Sequence, residues 1–72
     1  MKYVLELGET YLPGTKDEHW VTSGFYGGYT DKGPVIVQGE HAAYHFPSRE
    51  YAENVQRGDE RLKASRVRES TP

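Results

Sequence analysis

The segment HFPSREYAENVQRG, residues 45–58, constrains the fold most, because its signals follow one another in helix order. Pro47 discourages a helical conformation in the residue before it. Ser48 is a good N-cap, since its hydroxyl can accept a bond from a free backbone N–H of the first turn. Gly58 is expected to end the helix in the left-handed conformation that glycine adopts easily. The sequence therefore predicts one short helix between Ser48 and Gly58.

This helix needs a surface to pack against. Tyr51, Ala52 and Val55 are spaced by three and four residues, so they form one apolar stripe along it. A helix this short is marginal in water without tertiary contacts. A chain containing it must therefore hold it against another element, and the remaining segments favour a sheet.

Three segments before the helix are typical of strands, namely 2–7, 19–25 and 34–38, and the first is expected to be central. Residues 40–46 are expected to be extended, with a helical turn as the alternative. After the helix, 59–69 is predicted to hold an edge strand, and a helical extension stays open as the second reading.

The connections are marked by glycine and proline. Residues 8–18 contain Pro13-Gly14, a strong turn signal, and are expected to form a loop or a loose hairpin connection, with Tyr11 and Leu12 folding back onto the core. Residues 26–34 carry repeated glycines and are expected to interrupt regular structure.

These elements predict a single α+β domain over residues 1–69, followed by a frayed tail at 70–72. Its architecture is a small antiparallel sheet of three or four strands with one short helix packed on it, in the order β-β-β-α-β. Apolar residues are only 35% of the chain, so its nine aromatic residues must supply much of a thin core.

The absence of cysteine excludes disulfides, thiolate metal sites and cysteine nucleophiles. A small secreted domain usually carries disulfides, so we expect a cytoplasmic protein. No apolar stretch approaches the roughly 18 residues of a membrane span, and we expect no membrane partner.

Catalysis is not expected, because no serine lies in a recognisable nucleophile motif and adjacent acids in loops are usually solvated. His41 and His45 would lie about 13 Å apart on an extended strand, which is too far for one metal ion. We therefore expect no enzyme activity, no metal and no cofactor.

The segment GFYGGYTDKG, residues 24–33, favours a protein-binding surface, because tyrosine gives contact area at low entropic cost and glycine gives adaptability. The alternative is that its glycines form tight turns and its tyrosines shield the core. Acids at Glu6 and Glu9 could add local charge to such a surface. The candidate partner-binding residues are Trp20, Phe25, Tyr26, Tyr29, Asp17 and Glu18.

Basic residues cluster late in the chain, where RLKASRVR (61–68) contains no acid. Its basic residues are Arg61, Lys63, Arg66 and Arg68. They favour either an edge strand protected against unwanted pairing or an edge that contacts phosphate or an acidic partner. The acidic net charge of −2 makes direct nucleic-acid binding the weaker hypothesis.

With AAYHFPSREYAENV (42–55) leading into its helix, the chain resembles the small, cysteine-free accessory proteins encoded by phages and prophages, including anti-CRISPR proteins and other inhibitors of host defence. The resemblance implies binding to a larger host protein or ribonucleoprotein complex that handles nucleic acid, in the host cytoplasm, and blocking it sterically. Anti-CRISPR proteins share no common fold, so it assigns no residue roles.

Our leading hypothesis is thus a non-enzymatic protein-binding inhibitor. The alternatives are a small nucleic-acid-binding module that uses the 61–68 edge, and a structural or oligomeric phage component.

Overall fold

The computed structural model describes residues 1–70, which form one four-stranded antiparallel sheet with a helix across one face. The elements are β1 (Tyr3–Tyr11), β2 (His19–Thr30), β3 (Gly33–Val37), α1 (Arg49–Arg57) and β4 (Ser65–Glu69). The strands lie in the order β3-β2-β1-β4, and all neighbours are antiparallel. The predicted α+β fold, with β1 central and β4 at an edge, is confirmed.

The main core lies between the sheet and α1. Leu5, Tyr26, Phe46, Ala52 and Leu62 are buried there. Ala52 comes from α1, where its small side chain lets the helix approach the sheet closely. Phe46 is only 1% exposed, and burying a side chain of this size stabilises a fold by about 1.5–3 kcal/mol.

The opposite sheet face carries a smaller cluster of Val4, Phe25 and Ala43. Residues 40–42 form the helical turn that was the alternative for 40–46, a 3₁₀ helix at Glu40–Ala42, and the expected extended backbone begins only at Ala43. This turn moves the chain past one end of the sheet, from β3 toward α1.

The ends of α1 test the cap predictions. The Ser48 hydroxyl accepts from the Tyr51 N–H at 3.2 Å, so the N-cap is confirmed. The left-handed conformation predicted for Gly58 is wrong, because its φ is −78°. The chain does not reverse there but runs on into a 3₁₀ helix at Glu60–Leu62, which Asp59 caps.

The prediction that 26–34 interrupts regular structure is also wrong. β2 continues to Thr30 and pairs with β3 through a tight turn. The glycines fit the ladder for steric reasons, since a Cβ at Gly27 would lie 2.8 Å from a methyl of Val37. The register shifts at this point, and Gly28 has a φ of +137° that L side chains rarely adopt.

Of the two alternatives for 8–18, the structure has the hairpin connection, and residues 8–11 within it are strand. β4 pairs with β1 only as far as Leu7, and β3 pairs with β2 only from Phe25 onward. The β1–β2 ladder nevertheless continues to the pair Tyr11–His19. Residues 8–24 therefore form a two-stranded hairpin, called the arm below, that projects beyond the four-stranded body.

The start and the end of the described chain lie side by side. The Ser70 N–H donates to the Lys2 carbonyl at 2.8 Å, and the Ser70 hydroxyl donates to Glu40 at 3.0 Å. Ser70, the first residue of the predicted tail, thus forms two hydrogen bonds with the body, and residues 71–72 lie outside the described residues. Within 1–70, no helix has the length and apolar character needed to cross a membrane.

Candidate functional site

The two faces of the arm carry different side chains. Glu9 lies opposite Val21, and Tyr11 lies opposite His19, with their rings 5.8 Å apart. Paired residues share a face, and alternation from Leu7 puts this face on the same side of the sheet as α1. We call it the helix-side face of the arm.

Trp20 lies on the other face of the arm. Its indole N–H donates to the Thr22 hydroxyl at 3.1 Å. The ring passes over Gly8, where an added Cβ would lie 3.0 Å from it and would overlap the Val21 carbonyl oxygen. Gly8 therefore lets the two backbones and the indole approach closely at the base of the arm.

The tip of the arm is an ordered turn. Thr15 donates to the Leu12 carbonyl through both its hydroxyl, at 2.7 Å, and its N–H, at 3.3 Å. The Gly14 N–H donates to the Glu18 carboxylate at 3.1 Å. These bonds hold Leu12 at a φ of +53°, which is a rare and strained conformation for a bulky residue.

Apolar side chains are exposed on this arm. Leu12 is 54% exposed, Tyr11 45% and Val21 37%, so the expectation that Tyr11 and Leu12 fold back onto the core is wrong. Residues 9–19 and 21–23 of the arm are all exposed. Grouped exposed apolar residues mark interaction sites more often than scattered ones do.

An ion-pair network anchors Trp20 to the body. The Arg66 guanidinium lies 4.6 Å from the Trp20 ring centroid and 2.7 Å from the Glu6 carboxylate. Arg68 bonds the same carboxylate at 3.0 Å and also bonds Glu40. Glu6 is only 5% exposed, and each of its two carboxylate oxygens is paired with one of these arginines. The hydrogen bond to Glu40 is the main reason that the pKa of Arg68 is raised.

The structure does not gather the late basic residues into one free edge. Arg61 pairs with Asp59 at 3.1 Å, and Lys63 pairs with Glu60 at 3.8 Å. Arg66 and Arg68 lie across a sheet face on acids from earlier in the chain, as described above. All four basic side chains thus have carboxylate neighbours.

The candidate tyrosine–glycine segment is divided between core and surface. Phe25 is 8% and Tyr26 6% exposed, so neither ring is presented to a partner. Burial raises the pKa of Tyr26. The two residues are adjacent in a central strand, so their side chains enter the two opposite clusters of the body. Of these three rings, only that of Tyr29 is exposed. The two candidate acids, Asp17 and Glu18, are exposed at the tip of the arm.

Tyr29 belongs to a contact that fastens the β2–β3 turn to the segment after α1. Its hydroxyl donates to Asp59 at 2.9 Å, and the Arg61 side chain bonds the same carboxylate. The hydrogen bonds from Arg61 are the largest cause that lowers the pKa of Asp59 to about 2, and the bond from Tyr29 adds to them. The Arg61 guanidinium also packs over Gly33, where a side chain would collide with it.

Among residues 1–70, a groove of about 300 Å³ lies under the arm. Its lining residues are Gly8, Glu9, Tyr11, Val21, Ser23 and Ala64. Both Glu9 and Tyr11 line this groove, and a hydrogen bond with Glu9 raises the pKa of the Tyr11 hydroxyl.

A larger groove, about 970 Å³, lies at the opposite end of β1. His41 and His45 both line it, together with Glu40 and Glu69. In the part of the chain that the structure describes, no three His, Cys, Asp or Glu side chains are arranged to hold a metal ion.

Sequence reasoning named Trp20, Asp17 and Glu18 on the arm as binding residues but assigned no binding role to its exposed apolar side chains. The available signal was Tyr11-Leu12 directly before Pro13-Gly14, since large apolar residues beside a tight turn have few positions from which to reach a core.

Comparison of the chain with protein-family models, with curated proteins and with solved structures gives no match in any of the three.

Proposed function

We propose that this chain is a non-enzymatic protein-binding protein that docks on its partner through the arm. The observation that carries the proposal is the grouping of exposed Tyr11, Leu12 and Val21 on a projecting hairpin. Aromatic residues are frequent anchors of protein interfaces. The strained turn at Leu12 holds an apolar side chain outward without a core contact to account for it, as expected of a binding tip.

The backbone of the arm adds a second means of binding. Within residues 1–70, β1 beyond Leu7 and β2 before Phe25 each have a sheet neighbour on one side only. An open strand edge is a template for an added strand, and many domains recognise extended segments in this way. The arm thus offers both main-chain bonds and side-chain anchors.

We further propose that binding inhibits the partner by occupation, as the resemblance to anti-CRISPR proteins implies. Glu9, Asp17 and Glu18 are exposed on the arm, and they would face a basic surface of a protein that handles nucleic acid. The action is steric and stoichiometric, and it takes place in the cytoplasm of the host cell.

A nucleic-acid-binding module is less well supported. Lys and Arg bind phosphates by replacing the counterions of the nucleic acid. Here Arg66 and Arg68 already neutralise Glu6, and Arg61 neutralises Asp59. Contact with phosphate would have to break pairs that the fold itself uses.

The test is capture of a partner from a lysate of the source organism or its host, using tagged protein with and without nuclease treatment. The arm variant combines Tyr11→Thr with Leu12→Asn, since asparagine tolerates the left-handed conformation. The matched control, Val35→Thr with Ile36→Thr, removes exposed apolar side chains from β3.

We expect one protein complex to survive nuclease treatment, to be lost with the arm variant and to be retained by the control. Capture that disappears with nuclease would overturn the proposal in favour of nucleic acid. Equal capture by both variants would remove the arm from the function.

A further inference from the structure

We propose that the arm selects an extended, basic segment of its partner, by seating a Lys or Arg side chain in the groove beside Glu9. This inference rests on the proposed function, and it names the chemistry that the arm recognises. It follows from the edge of β1, from the shape of the groove and from the charge of the arm.

The position of the open edge decides where an added strand would lie. The last pair of the β1–β4 ladder is Leu7–Ser65, and Ala64 directly precedes β4. Residues 8–11 of β1 continue past this point, so a partner strand would extend the line of β4. Side chains of that strand on the helix-side face would lie next to Glu9 and Tyr11, because cross-strand neighbours are about 4.5–5.5 Å apart.

The groove at this position has the chemistry of a lysine or arginine site. Tyr11 and Val21 provide apolar walls, while Ala64 is small and leaves the groove open. Lys and Arg bury an aliphatic stem along apolar surface and keep the charged end near polar groups. Glu9 stands where that charged end would lie, and within residues 1–70 its exposed carboxylate forms no ion pair with a basic side chain.

The charge of the arm supports the same partner. Residues 8–24 contain Glu9, Asp17 and Glu18 against Lys16 alone. The arm is therefore a negative projection, whereas the arginines of the neighbouring β4 are already paired. Complementary charge increases the rate of encounter and suppresses wrong partners. An acidic segment would be repelled here, and a neutral one would leave Glu9 without a counter-ion.

The test uses the whole chain, labelled with nitrogen-15, and three defined probe peptides. Each is a short, acetylated and amidated peptide of alternating threonine and valine flanked by glutamines, with Arg, Gln or Glu at its central position. The amide signals of the protein report where each peptide binds, and the titration gives its Kd.

We expect the Arg peptide to shift the amides of residues 8–11 and of Ala64, and to bind at least about tenfold more tightly than the Glu peptide, equal to about 1.4 kcal/mol. Glu9→Gln should abolish the preference for Arg over Gln. Glu50→Gln is the matched control, because it removes the same charge from an exposed position on α1, and it should keep that preference.

Equal binding of the three peptides, shifts confined to β3 or β2, or no shift at millimolar peptide would each overturn the inference. The outcome can be separated from failure of the proposed function by partner capture. If Tyr11→Thr with Leu12→Asn abolishes capture while Glu9→Gln leaves it unchanged, the arm binds a partner but does not select a basic segment. If neither variant affects capture, the proposed function itself fails.

Discussion

Arg66 lies between Trp20 and Glu6, with its guanidinium 4.6 Å from the centroid of the indole and 2.7 Å from the carboxylate. One side chain of the last strand thus joins the base of the arm to a buried acid in the central strand. A projecting hairpin that is fixed at its base loses less conformational entropy when it binds, and this preorganisation favours affinity.

Replacing Glu6 by glutamine is expected to destabilise the protein by about 1.5–3 kcal/mol, the range for hydrogen bonds to a charged group. The loss should be smaller than for a fully buried pair, because the Arg66 and Arg68 side chains are 49% and 31% exposed and can reach water. Urea unfolding monitored by Trp20 fluorescence measures the change.

The control for Glu6 is Glu60→Gln, since the Glu60 side chain is 91% exposed. Surface substitutions of this kind usually change stability by less than about 0.5 kcal/mol. Equal unfolding midpoints for the two variants would show that the network does not stabilise the fold.

Gly8→Ala is expected to distort the arm. Its new Cβ would overlap the Val21 carbonyl oxygen and lie 3.0 Å from the Thr22 Cα, and backbone can move away only by opening the β1–β2 ladder. Overpacking typically costs about 1–3 kcal/mol. Amide exchange in residues 19–22 should accelerate, whereas Thr10→Ala, an exposed change nearby, should leave it unaltered. Protection equal to that of the original protein would contradict the close approach.

Ser48→Ala is expected to cost about 1 kcal/mol, because the Tyr51 N–H loses the oxygen that caps it. Ser48→Asp should restore stability, since a carboxylate also accepts this bond and complements the positive end of the helix. Thermal unfolding followed by circular dichroism ranks the three proteins. An alanine variant as stable as the aspartate variant would show that the cap does not contribute.

Asp59 should make the contact with Tyr29 and Arg61 sensitive to strong acid only. Its pKa is lowered to about 2 in the folded protein, below the unfolded value of about 3.9. The stabilisation is therefore complete above about pH 5 and is lost as the pH falls through 4 toward 2. Carboxyl titration by NMR should place the midpoint of Asp59 near 2.

The matched variant for this titration is Asp59→Asn. Its difference in stability from the original protein should be constant from neutral pH to about pH 5 and should shrink between about pH 4 and pH 2. A difference that stays constant down to pH 2 would show that the folded protein does not perturb this carboxyl.

The elements with strong local signals could be predicted from the sequence. Ser48 marked the start of α1, and the β-branched run at 34–38 marked β3, because caps and strand propensities act over a few residues. The β2 half of the arm was predicted as the strand 19–25, but the strand at 8–11 was missed, because a two-stranded hairpin with exposed faces needs no alternation of apolar and polar residues. The continuation of β2 through Gly27 was missed because the reason for glycine there is the close approach of Val37, ten residues away in sequence.

The candidate site was less predictable than the fold, since it depends on contacts between distant residues. The run 61–68 looked like a free basic edge, but Arg66 meets Glu6 across 60 positions of sequence. Tyr26 and Tyr29 looked equivalent, and the register of β2 placed one in the core and left the other on the surface. Composition predicts which types of residue bind, while topology decides which copies are exposed.

The pairing of β1 with β4 also sets the order in which the sheet can be completed. β1, β2 and β3 form successive hairpins from neighbouring segments, whereas the Tyr3–Glu69 pair closes almost the whole chain, and such long loops are entropically costly and slow to form. During synthesis the outer edge of β1 therefore stays open until β4 emerges, and an open edge in an incomplete chain is prone to wrong association. The edge that remains at residues 8–11 is the part of this early surface that no strand among residues 1–70 covers.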